Sequence, residues 1–473
     1  MKIDLNIFNE IISSIKNYKN LLVAFSGGID SMVLIDILSL LRDKKIKNNL
    51  SFKFRAIHIN HFLNKNSKKW AIYCKNECKK RNILYNIYEI NLSKIKNNIE
   101  EKARNYRYKI FKKNIKSHEI LLTAHHQDDQ AETLLLSLKR GSGPLGLSSM
   151  NLNSKFYKNR IIRPLLNCSK IQIKNYAKYR KLNWIYDKSN DNEKFDRNFL
   201  RINIIPLFTK RWPKFNYLVS RTARLCYEQE KLLNDLLKKE LNKLIKYDGS
   251  LYFKPLINMK KNKIFFLLRR WIHKNKIKMP SEKQINIILN EIILSKKKSM
   301  PIFHLSNKII SKYKNKLYIL EKQECIKLDN TIILWKKKNN KLSLPENLGI
   351  IYKFFEKNIY YSEYFFLKKN KNKEFFMIFP IKIFIRLPNL NENIFIKFRN
   401  KKKSFHTIIK NKKYSLKKIF NKMSVPPWWR NRIPLLFYNN NLISALGLFV
   451  SDFAYPIINN KILKIIWKNN IKN

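Results

Sequence analysis

The sequence predicts an α/β protein: a doubly wound parallel sheet, followed by a helical domain and a small α+β C-terminal domain. Three observations predict it. Apolar runs alternate with amphipathic stretches over the first 200 of the 473 residues. A glycine turn joins the first such run to the first such stretch in "LLVAFSGGIDSMVLIDILSLL", Leu21 to Leu41. From about Pro206 to Leu320 the apolar spacing becomes helical throughout.

Taken in order, the N-terminal stretch places Leu5, Phe8, Ile12 and Ile15 on one helical face. Strands are predicted at Leu21–Phe25, Phe54–Asn60, Leu84–Ile90 and Ile120–Ala124. Helices are predicted at Ser31–Lys44, Lys68–Arg81, Glu100–Lys116 and Asp129–Lys139. Such alternation builds a parallel sheet with helices on both faces. Ligands of these sheets bind beyond the C-terminal ends of the strands. The glycine turn, "HINH" (His58–His61) and "AHHQDD" (Ala124–Asp129) all fall at such ends, so three polar loops are expected around one crevice. The domains read as 1–205 for the α/β part, 206–320 for the helical part, 321–390 for a connecting region of unknown role, and 391–473 for the C-terminal unit.

Lys and Arg number 98 against 33 Asp and Glu, a formal charge of +65. A polyanion partner accounts for so basic a surface. Codon drift is the competing source, since Lys, Asn, Ile, Phe and Tyr are all abundant while Gly numbers only 8. Five cysteines without a regular framework argue for a reducing compartment. No window reaches 18 uninterrupted apolar residues, and the N-terminus lacks a signal-peptide pattern. The expectation is a soluble, cytoplasmic protein with no membrane contact.

The turn Ser26-Gly27-Gly28-Ile29-Asp30-Ser31 can bring backbone N–H groups and a helix N-terminus to a phosphate. The helix dipole adds about 0.3–1 kcal/mol for an anion there. The lysine of the common ATP loop G-x-x-x-x-G-K-[ST] is missing, and Asp30 stands in the turn instead. In "AHHQDDQAETLLLSLKRGSGPLGL", Asp128 and Glu132 lie i,i+4, as do Asp129 and Thr133. Two histidines and three carboxylates within eight residues exceed what helix capping needs, so they are candidate general bases and magnesium ligands. In "EEKARNYRY", Glu100–Arg104 and Arg104–Tyr108 are i,i+4 pairs. Arg197 and Arg201 form a further i,i+4 pair, a cationic patch for ATP phosphates or RNA.

These motifs, in this order, resemble tRNA(Ile)-lysidine synthetases, which belong to the PP-loop ATP pyrophosphatases (adenine nucleotide alpha hydrolase-like). The likeness runs through "SGGIDS", "EEKARNYRY", "HHQDDQAETLLLSLKRGSG", "RPLL" (Arg163–Leu166) and the "RN.LR" stretch near residue 200. "YSLKKIFNKMSVPPWWRNRIPLL" (Tyr414–Leu436) resembles the family's C-terminal tRNA-binding domain. The resemblance implies a ligase. It cuts ATP between the α- and β-phosphates, adenylates the C2 oxygen of the wobble cytidine in the isoleucine tRNA with a CAU anticodon, and joins free L-lysine at C2. Decoding then changes from AUG to AUA. ATP and Mg²⁺ are the implied cofactors. The implied roles are Ser26–Ser31 for ATP, Asp30 for Mg²⁺, Asp128, Asp129 and Glu132 for lysine and proton transfer, and Arg104 for charge stabilisation. Arg197, Arg201, Lys417, Lys418 and Arg430 are the expected tRNA-binding residues. Homodimers have precedent in the family. The rival readings are another PP-loop enzyme, such as a tRNA thiolase, or a non-catalytic RNA-binding protein.

Overall fold

The computed structural model of the chain describes residues 5–43, 52–62, 64, 66–90, 99–296, 299–321, 328, 331–356, 379–399, 405–409, 412–456 and 461–468. It divides into two units, Met1–Leu236 and Leu237–Asn473.

The first unit begins with helix α1 (Leu5–Ile15), whose Ile7, Ile11 and Ile15 are buried. Then follow β1 (Asn20–Ala24), α2 (Ile29–Asp43), β2 (Lys53–Asn60), α3 (Ser67–Lys80), β3 (Leu84–Glu89), α4 (Ile99–Asn114), β4 (Ile120–Leu122) and α5 (Gln127–Lys139). The short helix α6 (Pro144–Leu147), the hairpin β5 (Asn153–Phe156) and β6 (Asn159–Ile162), and α7 (Lys170–Tyr179) complete the frame. The sheet order is β3-β2-β1-β4-β6-β5. All neighbours are parallel except β5 against β6. The four predicted strands and the helices between them are present, with ends shifted by a few residues. The β5–β6 hairpin extends the sheet beyond the prediction. Its strands are four residues each and carry Asn153, Lys155, Asn159 and Arg160, which interrupt any apolar run.

Both faces of the sheet are covered, as a parallel sheet requires. Leu21, Val23, Phe54 and Ala56 pack with α1, α2, α3 and α7 on one side. Leu22, Ile57, Leu121 and Phe111 of α4 form the core on the other. Asp36 of α2 is buried and takes the Tyr176 hydroxyl at 2.9 Å and Arg180 Nε at 3.1 Å, so α7 is fixed alongside α2. Downstream, the chain is helical at Asp196–Phe199, π-helical at Leu200–Ile204 and α-helical again at Ile205–Arg211. Pro206 has no N–H to offer the Ile202 carbonyl, and the Ile205 N–H reaches back five residues to Leu200 instead.

In the second unit the helices predicted for the middle of the chain include Lys261–Lys274, which buries Leu267, Leu268 and Trp271. They share a core with a four-stranded antiparallel sheet of Leu251–Tyr252, Ile302–Leu305, Lys308–Tyr313 and Lys316–Glu321. A region read from sequence as helical alone is therefore mixed. The stretch 321–390, read as a connection without assigned role, supplies strands to the C-terminal layers. Ile332–Trp335 pairs with Ile394–Lys397, while Ile350–Glu356 and Ile381–Arg386 flank Ile462–Lys468. Trp335, Leu348, Ile396 and Trp467 lie in one core. Lys382, Lys353 and neighbouring polar residues hide the alternation in sequence; Lys353 is itself buried, its ammonium on the Lys336 carbonyl at 2.9 Å.

Candidate active site

Three helices of the first unit, α2, α5 and α7, start beside one another. Lys170, the first residue of α7, links them: its Nζ lies 2.6 Å from Asp30 Oδ1, and its backbone N–H donates to Asp128 Oδ1 at 3.2 Å. Three positive dipole ends therefore converge beyond the ends of β1, β4 and β6, where an anion is favoured.

The turn into α2 is held by its own side chains. Ser31 Oγ donates to the Gly28 carbonyl at 2.9 Å, lies 3.1 Å from Ser26 Oγ and accepts from the Ser26 N–H at 3.3 Å. Gly27 has φ of +81°, and a Cβ there would lie 2.5 Å from Ile185 Cδ1 and 2.7 Å from Cys74 Sγ. Its carbonyl accepts from the Ile185 N–H at 2.9 Å. Gly28 differs: a Cβ would meet only Ser26 Oγ, at 3.6 Å, so its α-carbon borders open space. That is room in which a phosphate can approach the backbone.

His126 sits where the loops meet. It is almost fully buried, and its Nε2 is 3.6 Å from Asp30 Oδ1 and 3.5 Å from Asp129 Oδ2. Its backbone N–H donates to Asp129 Oδ2 at 3.0 Å, which caps α5, while Nδ1 has no hydrogen-bond partner. Burial pushes the Asp129 carboxyl upward, but His126, His125, the His126 N–H and Arg201 outweigh it and hold the group below its ordinary range. Glu132, with no exposed surface, moves the other way: burial and the Asp129 charge raise it against the pull of Arg201. Arg201 Nε donates to Glu132 Oε1 at 2.7 Å, and Glu132 Oε2 is left without a partner. Two carboxylates one helical turn apart are thus pushed toward different protonation states, the arrangement that separates an acid from a base.

Of the residues expected from sequence, Ser26–Ser31, Asp128, Asp129 and Glu132 come together here. Asp128 and Glu132 face different partners, Lys170 and Arg201. Arg201, expected on tRNA, is engaged with Glu132 and lies 3.5 Å from Asp129 Oδ1. Arg197 donates to Thr133 Oγ1 at 3.4 Å. Arg104 stacks over Tyr108, 5.0 Å from the ring centre, and lies near His125, whose pKa is lowered to about 3 chiefly by burial. The side chain of Glu100 lies outside the described residues. Lys417 and Lys418, in the second unit, are exposed. Arg430 instead turns inward, onto the Val425 carbonyl and Asn421 Oδ1, both at 2.9 Å.

Sequence reasoning missed Lys170 and left His126 undistinguished from His125. The only sequence signal for Lys170 was its place after "RPLL", at the start of an amphipathic stretch. Its meeting with Asp30 joins positions 140 residues apart. Among the described residues, Cys74, Cys78 and Cys226 are free thiols, and burial raises the first two. No described helix is long and apolar enough to cross a membrane.

A glycine turn, three converging helix starts and an acid cluster at the ends of a parallel sheet define a domain built to handle nucleotide phosphates. Residues 3–208 match the family model of the PP-loop domain. Residues 252–318 match the TilS substrate binding domain, and 394–467 the TilS substrate C-terminal domain. The chain is 43% identical to the tRNA(Ile)-lysidine synthase of Blochmanniella floridana, over 96% of this chain and 91% of that one. It is 41% identical to that of Buchnera aphidicola subsp. Acyrthosiphon pisum, over 98% and 97%, and 34% identical to that of Pectobacterium atrosepticum, over 99% of each. The chain belongs to the tRNA(Ile)-lysidine synthase family.

Proposed function

We propose that the chain is a carbon–nitrogen ligase that uses ATP to join free lysine to C2 of the wobble cytidine in the isoleucine tRNA with a CAU anticodon. The observation that carries this reading is the meeting of Asp30 and Asp129 at one ring nitrogen, His126 Nε2, at 3.6 and 3.5 Å. It brings the phosphate turn and the carboxylate face into one site.

The reaction has two steps. The cytidine C2 oxygen attacks the α-phosphate of ATP, and pyrophosphate leaves. The lysine ε-amine then attacks C2 and expels AMP, a far better leaving group than a bare carbonyl oxygen. Backbone N–H groups around Gly28 and the start of α2 suit the phosphates, and the open space beside Gly28 fits them. Magnesium typically keeps several waters and takes one or two carboxylates plus phosphate oxygens. Asp30, about a quarter exposed and already facing a cation, fits that role, with Asp129 nearby. When bound, the ion would neutralise charge on the departing pyrophosphate.

Free lysine arrives charged: with a pKa of about 10.4, roughly one amine in 2,500 is neutral at pH 7. Asp128 and Asp129 can hold the ammonium. Glu132, its carboxyl raised by burial and by the Asp129 charge, is the group suited to exchange a proton. Arg104 stabilises charge that develops on the reacting nucleotide.

A tRNA thiolase is the less supported reading, because the chain has no C-x-x-C. tRNA-dependent exchange between ATP and labelled pyrophosphate tests the adenylation step, and Asp30→Ala should abolish it. Exchange at a near-native rate in that variant would remove Asp30 from the site.

A further inference from the structure

We infer that Lys170 is the phosphate-facing cation that the ATP turn itself lacks, delivered from the start of α7 and resting on Asp30 while the site is free of nucleotide. This rests on the proposed reading of the crevice as the ATP site.

The turn Ser26–Ser31 contains no basic residue. The structure places one there from far along the chain: Lys170 Nζ is 2.6 Å from Asp30 Oδ1, and both side chains are about a quarter exposed. The ammonium therefore sits at the mouth of the crevice and not in the core. The position of α7 does not depend on this ion pair. Asp36 holds α7 through Tyr176 and Arg180, and Ser169 caps the helix, its Oγ accepting the Gln172 N–H at 3.2 Å. The Lys170 backbone is tied separately, to Asp128 Oδ1. With helix and backbone fixed by other groups, the four-carbon stem is free to move its charge between a carboxylate and a phosphate a few ångströms away. The same Asp30 oxygen also faces the buried His126, whose other ring nitrogen makes no hydrogen bond and lies 3.9 Å from Asp128 Oδ1, so the crevice is only partly satisfied. An incoming polyphosphate meets one mobile cation and three helix N-termini there.

The test is isothermal titration of the full-length protein with inorganic pyrophosphate and with α,β-methylene ATP, for the native chain and for Lys170→Met, Lys170→Arg and Arg180→Met. Loss of a charge-assisted hydrogen bond should raise the dissociation constant of both probes by about 10- to 100-fold in Lys170→Met. Lys170→Arg should recover most of the affinity. Arg180→Met, which cuts an anchor of the same helix, should lower the melting temperature yet leave affinity within about twofold. Pyrophosphate affinity in Lys170→Met equal to native would overturn the inference and leave the ATP site standing. Equal weakening by Arg180→Met would also overturn it, because the effect would then come from helix position. If the native chain bound neither probe, both the inference and the ATP reading would fail.

Discussion

Arg201 and Glu132 form a hydrogen-bonded ion pair, Nε to Oε1 at 2.7 Å, in which the carboxylate is fully buried and the guanidinium is nearly half exposed. The pair joins the π-helical segment around residue 200 to the carboxylate face of α5. It also leaves Glu132 Oε2 open for a further partner.

Removing Arg201 strands a buried carboxylate. Arg201→Ala should destabilise the protein toward the lower end of the range of about 3–5 kcal/mol seen when one partner of a buried pair is removed, since Arg201 is partly solvated. Adding Glu132→Gln should recover much of that stability, because a neutral amide needs no counter-charge. Glu132→Gln alone should retain the helix and slow lysine transfer more than adenylation. Thermal melts of the four-variant cycle measure the coupling, and rapid-quench assays separate the two half-reactions. Equal slowing of both would assign Glu132 to the ATP side.

The two glycines of the turn should fail differently. Gly27→Ala places a methyl 2.5 Å from Ile185 in a backbone with φ of +81° and should cost about 1–3 kcal/mol of stability. Gly28→Ala has room in the fold and should melt close to native. Its methyl would stand where the phosphate is proposed to approach, so ATP affinity should drop by about tenfold or more. Melting curves and nucleotide titration distinguish them.

Acid should weaken the fold through His61. Burial first, then Arg107 and His58, lower its pKa from 6.5 to about 4. Between those values the unfolded chain takes up a proton that the folded chain refuses, so stability falls as pH falls. The contribution is fully present above pH 6.5 and disappears through the window down to about 4. His61→Asn should flatten the pH dependence of the melting temperature in that window and leave the neutral side unchanged in slope.

In the C-terminal region the three expected tRNA-binding residues separate. Lys417 and Lys418 are exposed on the helix Leu416–Lys422, whereas Arg430 is spent on Val425, Asn421 and the Tyr313 hydroxyl. Lys417→Ala with Lys418→Ala should lower the slope of log affinity against log salt by roughly 0.7–0.9 for each phosphate that is no longer neutralised. Arg430→Ala should act on stability instead, with little change in slope. Filter binding of tRNA at several salt concentrations reads both. An unchanged slope in the lysine double variant would make those charges solvated surface.

The sheet and its crevice were legible because glycine is scarce. In a chain with 8 glycines, Gly27 and Gly28 after an apolar run mark a turn with little ambiguity, and the acids of "HHQDD" follow another strand end. Pairings across the sheet were not legible. Lys170 meets Asp30, and Arg201 meets Glu132, through tertiary packing that carries no local pattern. Arg197 and Arg201 read by spacing as a cationic pair for ATP phosphates or RNA, but the π-helical turn beside Pro206 brings Arg201 onto α5. The strands between 332 and 386 were hidden for another reason. Lys341 and Lys382 stand at exposed positions of these strands, and a third lysine, Lys353, is buried by donating to a carbonyl. Composition drift and packing had become inseparable there.

The central claim is that phosphate turn and carboxylate face serve one ligation. It is tested most directly by incubating the protein with ATP, labelled lysine and the isoleucine tRNA bearing a CAU anticodon, then digesting the tRNA and weighing its nucleosides. The account predicts that the wobble cytidine gains a lysyl group, only when ATP is present, and that Asp30→Ala prevents it. An unmodified cytidine alongside intact tRNA binding, or a wobble base carrying sulfur instead of lysine, would contradict it.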